Sequence, residues 1–215
     1  MKISPQKFSS AVAAFKRGDY ASALNAFRTL GKEGDTTAQY NLGVAYHEGL
    51  GIQKDDAEAV KWYRMAAERG HPRAQNNLGA AYSKGEGVMH DPVEAVKWYR
   101  KAAAQGFTRA QNNLGEAYSR GEGVTRNYTL AVNWFRRAAK ERFTEPQRHL
   151  GYMYQTGRGV PKDLAKSFAW YNVAAKGGND LAQQNRDILA KKMSLAELEK
   201  GKKFARELSA KYRKK

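Results

Sequence analysis

The sequence contains no cysteine. Disulfides and thiolate metal sites are excluded by that absence, and the redox compartment is left open. Long apolar runs are missing too: nowhere do about 18 apolar residues follow one another, so no segment reads as a membrane-spanning helix. Leucine, isoleucine, valine and phenylalanine are few for a globular core, yet 41% of the chain is hydrophobic, well above a disordered composition. Alanine, tyrosine and tryptophan take their place, which suits close-packed helices with small residues set against rings. Acidic residues are outnumbered, 21 Asp and Glu against 38 Lys and Arg, a formal net charge of +17. Such an excess favours acidic partners, whether protein, nucleic acid or anionic lipid. It is uneven: residues 186–215 hold 11 basic and 4 acidic residues, residues 51–100 hold 8 and 7.

What is present is a repeat. Trp62, Trp98, Trp134 and Trp170 stand 36 residues apart, and other columns keep the same step. Leu-Gly recurs at Leu42-Gly43, Leu78-Gly79, Leu114-Gly115 and Leu150-Gly151. Tyr46, Tyr82, Tyr118 and Tyr154 follow, then the glycine pairs Gly49/Gly51, Gly85/Gly87, Gly121/Gly123 and Gly157/Gly159.

Each unit reads as two antiparallel helices. Helix A is expected near 37–48, 73–84, 109–120 and 145–156, its inward side marked by Ala38, Leu42, Ala45 and Tyr46 at helical spacing. Its interior glycine costs roughly 1 kcal/mol against alanine, so a close approach by the Trp and Tyr of helix B is expected to compensate. Helix B is expected near 56–69, 92–105, 128–141 and 164–177. Asp55, Asp91, Asn127 and Asp163 supply its N-caps, and Glu58 and Glu94 a capping box. Gly70, Gly106 and Gly178 close it in the left-handed region, whereas Arg142 interrupts that column and predicts a local irregularity.

The ends differ from the middle. Two helices near 5–17 and 20–33 joined by Gly18-Asp19-Tyr20 form an atypical first unit, in which Phe8, Val12 and Phe15 read chiefly as core. A fifth helix A near 180–192 and a last helix near 195–213 follow, the latter opened by a Ser194/Glu197 capping box. Leu195, Leu198, Phe204 and Leu208 are positioned to cover the end of the stack, as solenoids require.

The stretches Ala38–Gly70 and Ala74–Gly106 carry A-x-x-x-L-G-x-x-Y-x-x-G-x-G, a later Asp, then W-Y-x-x-A-A-x-x-G. This pattern resembles the Sel-1-like repeat family, relatives of the tetratricopeptide repeat. The unit from Ala110 departs at Asn127 and Arg142, and the unit from Pro146 at Pro146, Arg148 and Ser167. The resemblance implies an all-α, right-handed superhelical solenoid of antiparallel helix pairs with capping helices at both ends. As one domain over 1–215 it would comprise a tetratricopeptide-like cap (1–36), four repeats (37–72, 73–108, 109–144, 145–179) and C-terminal capping helices (180–215). It implies a non-catalytic adaptor or scaffold, or an inhibitor of immunity type that neutralises a toxin or secreted enzyme. It also suggests a periplasmic or exported location if a leader has been removed, and otherwise a cytoplasmic one.

The resemblance places helix A on the concave side. The exposed positions would be Tyr40, Asn41, Val44 and His47, then Arg73, Asn76, Asn77 and Ser83, then Arg109, Asn112, Asn113, Glu116 and Arg120, then Arg148, His149, Tyr152 and Gln155. Asn77 and Asn113 stand where tetratricopeptide relatives grip a peptide backbone; these asparagines could equally bond a neighbouring helix. Arg73 and Arg109 lie one turn earlier, and arginine suits a carboxylate because its planar fork bonds it bidentately. The expected partner is an acidic peptide or protein surface, received by a monomer.

Other chemistry is weaker. The glycine pairs have no preceding strand and read as turns, not a phosphate loop. His47, His71, His90 and His149 share no ligand spacing, so neither metal nor cofactor is expected. No nucleophile, base and orienting group come together, so no catalytic residue is assigned. The rings could stack bases, but recurring opposite glycine and alanine they read as core. The basic tail (Lys200, Lys202, Lys203, Lys211, Arg213, Lys214, Lys215) makes nucleic acid or an anionic surface a secondary candidate.

Overall fold

The computed structural model describes residues 5–139 and 143–213. Arg142, Lys214 and Lys215 lie outside them. Among the described residues there are twelve helices and no strand. The chain divides into two compact units, Met1–Phe107 and Thr108–Lys215, at the seam between two repeats. The first unit holds α1 (Pro5–Lys16), α2 (Tyr20–Lys32), α3 (Thr36–Glu48), α4 (Asp56–Glu68), α5 (Pro72–Lys84) and α6 (Pro92–Ala104). The second holds α7 (Thr108–Arg120), α8 (Tyr128–Ala138), α9 (Thr144–Thr156), α10 (Leu164–Lys176), α11 (Asp180–Ala190) and α12 (Leu195–Arg213). Within each unit, helices adjacent in sequence pack on one another, the α-solenoid arrangement, except that α12 packs on α10 and not on α11.

The turn from helix A to helix B is built by local chemistry. Gly85 and Gly87 both have positive φ, +73° and +69°, and the same holds in the other repeats. A side chain on Gly87 would collide with the Asp56 carbonyl of the preceding helix B. Gly51 and Gly159 likewise meet Tyr20 and Tyr128, so the second glycine lets these three turns dock on the repeat before them. Asp55, Asp91, Asn127 and Asp163 then cap helix B, each accepting from the backbone N–H three residues on.

The expected capping box at Glu58 and Glu94 is only half made. The N–H groups of Asp55 and Asp91 donate instead to the Tyr46 and Tyr82 carbonyls, both at 2.9 Å. The two glutamates consequently turn outward and pair with Lys61 and Lys97. The Ser194/Glu197 box is complete in both directions.

Buried alanines and the fully buried Leu42, Leu78, Leu114 and Leu150 form the core, each leucine worth about 1.5–3 kcal/mol. The helix A glycine is a seat for one ring. A Cβ on Gly43, Gly79, Gly115 or Gly151 would lie within 2.8 Å of Tyr63, Tyr99, Phe135 or Tyr171 respectively. The tryptophan expected to share this seat does not: Trp62 lies instead against Gly31 of the preceding helix B. Phe8, Val12 and Phe15 are core, with Phe8 and Phe15 packed about Phe27.

At the C-terminal end α12 runs back along α10, where Gly201 meets Phe168 and the Ala165 carbonyl. Leu198 and Leu208 pack into the clusters they were expected to cover. Leu195 does not; as the first residue of α12 it points outward, 84% exposed.

Candidate functional site: the helix A faces

In the first unit the expected face begins with Tyr40, Asn41 and Val44 on α3, all half-buried. Tyr40 stacks on His71 with ring centroids 4.9 Å apart, and with Val44 it packs into the cluster around Tyr63 and Leu78. Its position therefore turns toward the next helix pair, not toward open solvent. One repeat later Asn76 occupies the same position, and it is buried where exposure was expected. Its amide donates to Asn77 Oδ1. Asn77 also shares a hydrogen bond with the Tyr63 hydroxyl, whose burial pushes the phenol's pKa up. The asparagine before Leu-Gly thus ties helix A to helix B. Arg73 is different: it is exposed, and among the described residues no group bonds or pairs with it.

His71 caps α5. Its Nδ1 accepts the Ala74 N–H at 3.2 Å, which requires that nitrogen to be unprotonated. Burial, and then the neighbouring Arg73 charge, lower its pKa, with Asp35 opposing. His47 Nδ1 lies 2.7 Å from Asp56, joining the end of α3 to the start of α4.

In the second unit Arg109 repeats Arg73: it is exposed, with no bonding partner among the described residues. The rest of this face is ionic. Asn112 is buried, again against expectation, because its amide donates to Glu116 at 2.7 Å. Glu116 also lies 3.2 Å from His149 and 3.2 Å from Arg120. Burial works against the Glu116 charge, but the bond and charge of His149, the Asn112 amide and Arg120 outweigh it and hold its pKa below the ordinary carboxylate value. His149 stacks on Phe135, centroids 4.7 Å apart. Arg148 is half-buried and locked to Glu145 by two bonds of 3.0 and 2.8 Å. Tyr152 is 38% exposed and receives a hydrogen bond from Arg158. Asn113 is half-buried and has interactions of its own.

Two residue columns had no place in the sequence reading. Gln39, Gln75 and Gln147 are buried, each donating to a carbonyl near the end of the preceding helix B, Gly31, Ala67 or Ala139. Their 36-residue spacing was the available signal. Arg28, Arg64 and Arg136 reach the hydroxyls of Tyr46, Tyr82 and Tyr154, so each of these three rings is held at its rim by a cation. On α12, Lys202 pairs with Glu199 and Lys200 lies over the Phe204 ring, while Lys203 and Lys211 are exposed. No described helix is long and apolar enough to cross a membrane.

This geometry can be set beside known proteins. The Sel1 repeat model matches residues 36–71, 72–107, 108–142 and 147–179. A crystal structure of a protective antigen of uropathogenic Escherichia coli, with an SLR fold, is 36% identical with a TM-score of 0.81. That match covers 96% of this chain but only 46% of the antigen, so this chain spans about half its length. A Sel1 repeat protein from Oxalobacter formigenes is 35% identical over 83% of this chain and 74% of its own, with a TM-score of 0.76. An immunity protein from Pseudomonas aeruginosa shares the fold alone: 20% identity, 85% and 70% coverage, TM-score 0.54. No curated protein matches the sequence. The Sel1 repeat is a protein-interaction fold, typically a non-catalytic scaffold, and on the four matched repeats this chain belongs to the Sel1 repeat family.

Proposed function

We propose that the chain is a non-catalytic adaptor that receives an acidic segment of another protein on the helix A faces of its repeats. One observation carries this reading. Arg73 and Arg109 occupy equivalent positions in the first turn of helix A, one in each unit, and both are exposed with no acidic residue among the described ones answering them. Arg120 and Arg148, by contrast, already hold carboxylates of their own chain. A free guanidinium in each unit is suited to a carboxylate of a guest. Asn77 contributes by keeping the face rigid, since its amide is engaged with Tyr63.

The test is capture of the native partner by three immobilised proteins: the wild type, a variant with Arg73, Asn77, Arg109 and Asn113 all changed to Ala, and a variant with Lys200, Lys203 and Lys211 changed to Gln. Capture should be lost in the first variant, with helicity retained, and kept in the second. Loss only in the lysine variant, with steep salt dependence and nuclease sensitivity, would assign the charge to nucleic acid.

A further inference from the structure

In the four matched repeats helix A is covered by its own helix B, seen directly as α3 against α4, α5 against α6, α7 against α8 and α9 against α10. The last helix A breaks this pattern. α12 turns back along α10 and does not pair with α11. The sequence of α11 suits a helix without that partner: Arg186-Asp187 stand where the other repeats have Leu-Gly, so no seat for a ring is provided. Its outer arc is therefore open. Leu181 and Ile188 lie on it, 57% and 54% exposed, and Leu195 follows just past the turn.

These residues are not scattered surface leucines. Leu181 and Ile188 are seven residues apart, two turns of one helix face, about 10 Å along its axis. That is the spacing with which one amphipathic helix meets another. The charge on α11 and its end is mixed with a cationic excess. Asp187 is paired with Arg186 and Asp180 opens the helix, while Lys191 and Lys192 are exposed at its end with no ion pair among the described residues. A second copy would bring together two chains that each carry a formal net charge of +17. An acidic helix would gain from the same field.

We infer that the open face of α11, with Leu181 and Ile188 as apolar anchors and Lys191 and Lys192 beside them, docks an acidic amphipathic helix of a partner protein. The inference rests on the reading of the chain as a protein-binding module, but assigns the anchor to a helix outside the Arg73/Arg109 positions.

The probe is a synthetic amphipathic helix about 20 residues long, with leucines at heptad spacing and glutamates elsewhere. It is compared by fluorescence anisotropy, at physiological salt, with a version whose leucines are serine. The full chain should bind the first and not the second. Changing Leu181→Ser together with Ile188→Ser should weaken binding at least about tenfold, since two exposed anchors are lost while no buried contact is touched. The four-alanine variant of Arg73, Asn77, Arg109 and Asn113 should bind within about twofold of wild type, because none of the four lies on α11. The inference is overturned by no binding of the leucine peptide, by equal binding of the serine peptide, or by a serine-pair variant with unchanged affinity. A dimer seen by light scattering and dissolved by the serine pair would also overturn it, giving the face to a second copy. If only the four-alanine variant fails, the helix A cations stand and the α11 site falls.

Discussion

The two units are built on one repeat yet spend its variable positions differently. The first carries 15 Lys and Arg against 11 Asp and Glu; the second carries 23 against 10. The helix A interior of the first is neutral and aromatic, with Tyr40 on His71 and Asn77 on Tyr63. The corresponding interior of the second is ionic, with Glu116 held between Asn112, His149 and Arg120. The scaffold columns are common to both: a fully buried leucine, a glycine seat and a capped helix B. The comparison teaches that fold resides in the columns that repeat, and chemistry in those that change.

Substitutions in the shared columns should hit both units alike and hardest. Leu78→Ala and Leu150→Ala are each expected to cost about 2–5 kcal/mol in denaturant unfolding; a large disparity would mean the cores are not equivalent. Next, Gly79→Ala and Gly151→Ala force a Cβ into the Tyr99 and Tyr171 rings. Overpacking of about 1–3 kcal/mol should outweigh the helix-propensity gain in both.

Smaller effects should separate the units by pH. Glu116 titrates below its unfolded value, so its contribution is complete above that value and is lost as pH falls through the lower folded pKa. Glu116→Gln should remove this acid loss and cost about 1–3 kcal/mol at neutral pH, by thermal melts across the acid range. His71 is depressed as well, so its contribution is present above the unfolded value near 6.5 and is lost as pH falls below it. Protonation must break the bond from the Ala74 N–H. The loss should be about 0.5–2 kcal/mol, the worth of an N-cap, and His71→Asn should abolish the pH dependence while keeping the cap.

Much of this was legible in the sequence because it is local. A 36-residue step, an Asp before a helix and a glycine after one act within a few residues, and the twelve helices fall where those signals put them. What was not legible depends on distant groups. Glu58 cannot close its capping box because a carbonyl nine residues back, that of Tyr46, has already taken the Asp55 N–H. Asn76 and Asn112 look like surface residues in a helical wheel, but both are buried, and Tyr40 of the same column packs into the next helix pair. Which ring occupies the glycine seat depends on how helix B crosses helix A. The fold-back of α12, which leaves Leu195 exposed and α11 uncovered, has no periodic signature beyond the missing Leu-Gly.

The claim that binding belongs to the helix A faces is tested most directly by hydrogen exchange on the complex with the native partner. Protection should appear in peptides of α3, α5, α7, α9 and α11 and be weak in α4, α6, α8 and α10. Protection confined to the helix B peptides, or to α12 alone, would contradict it.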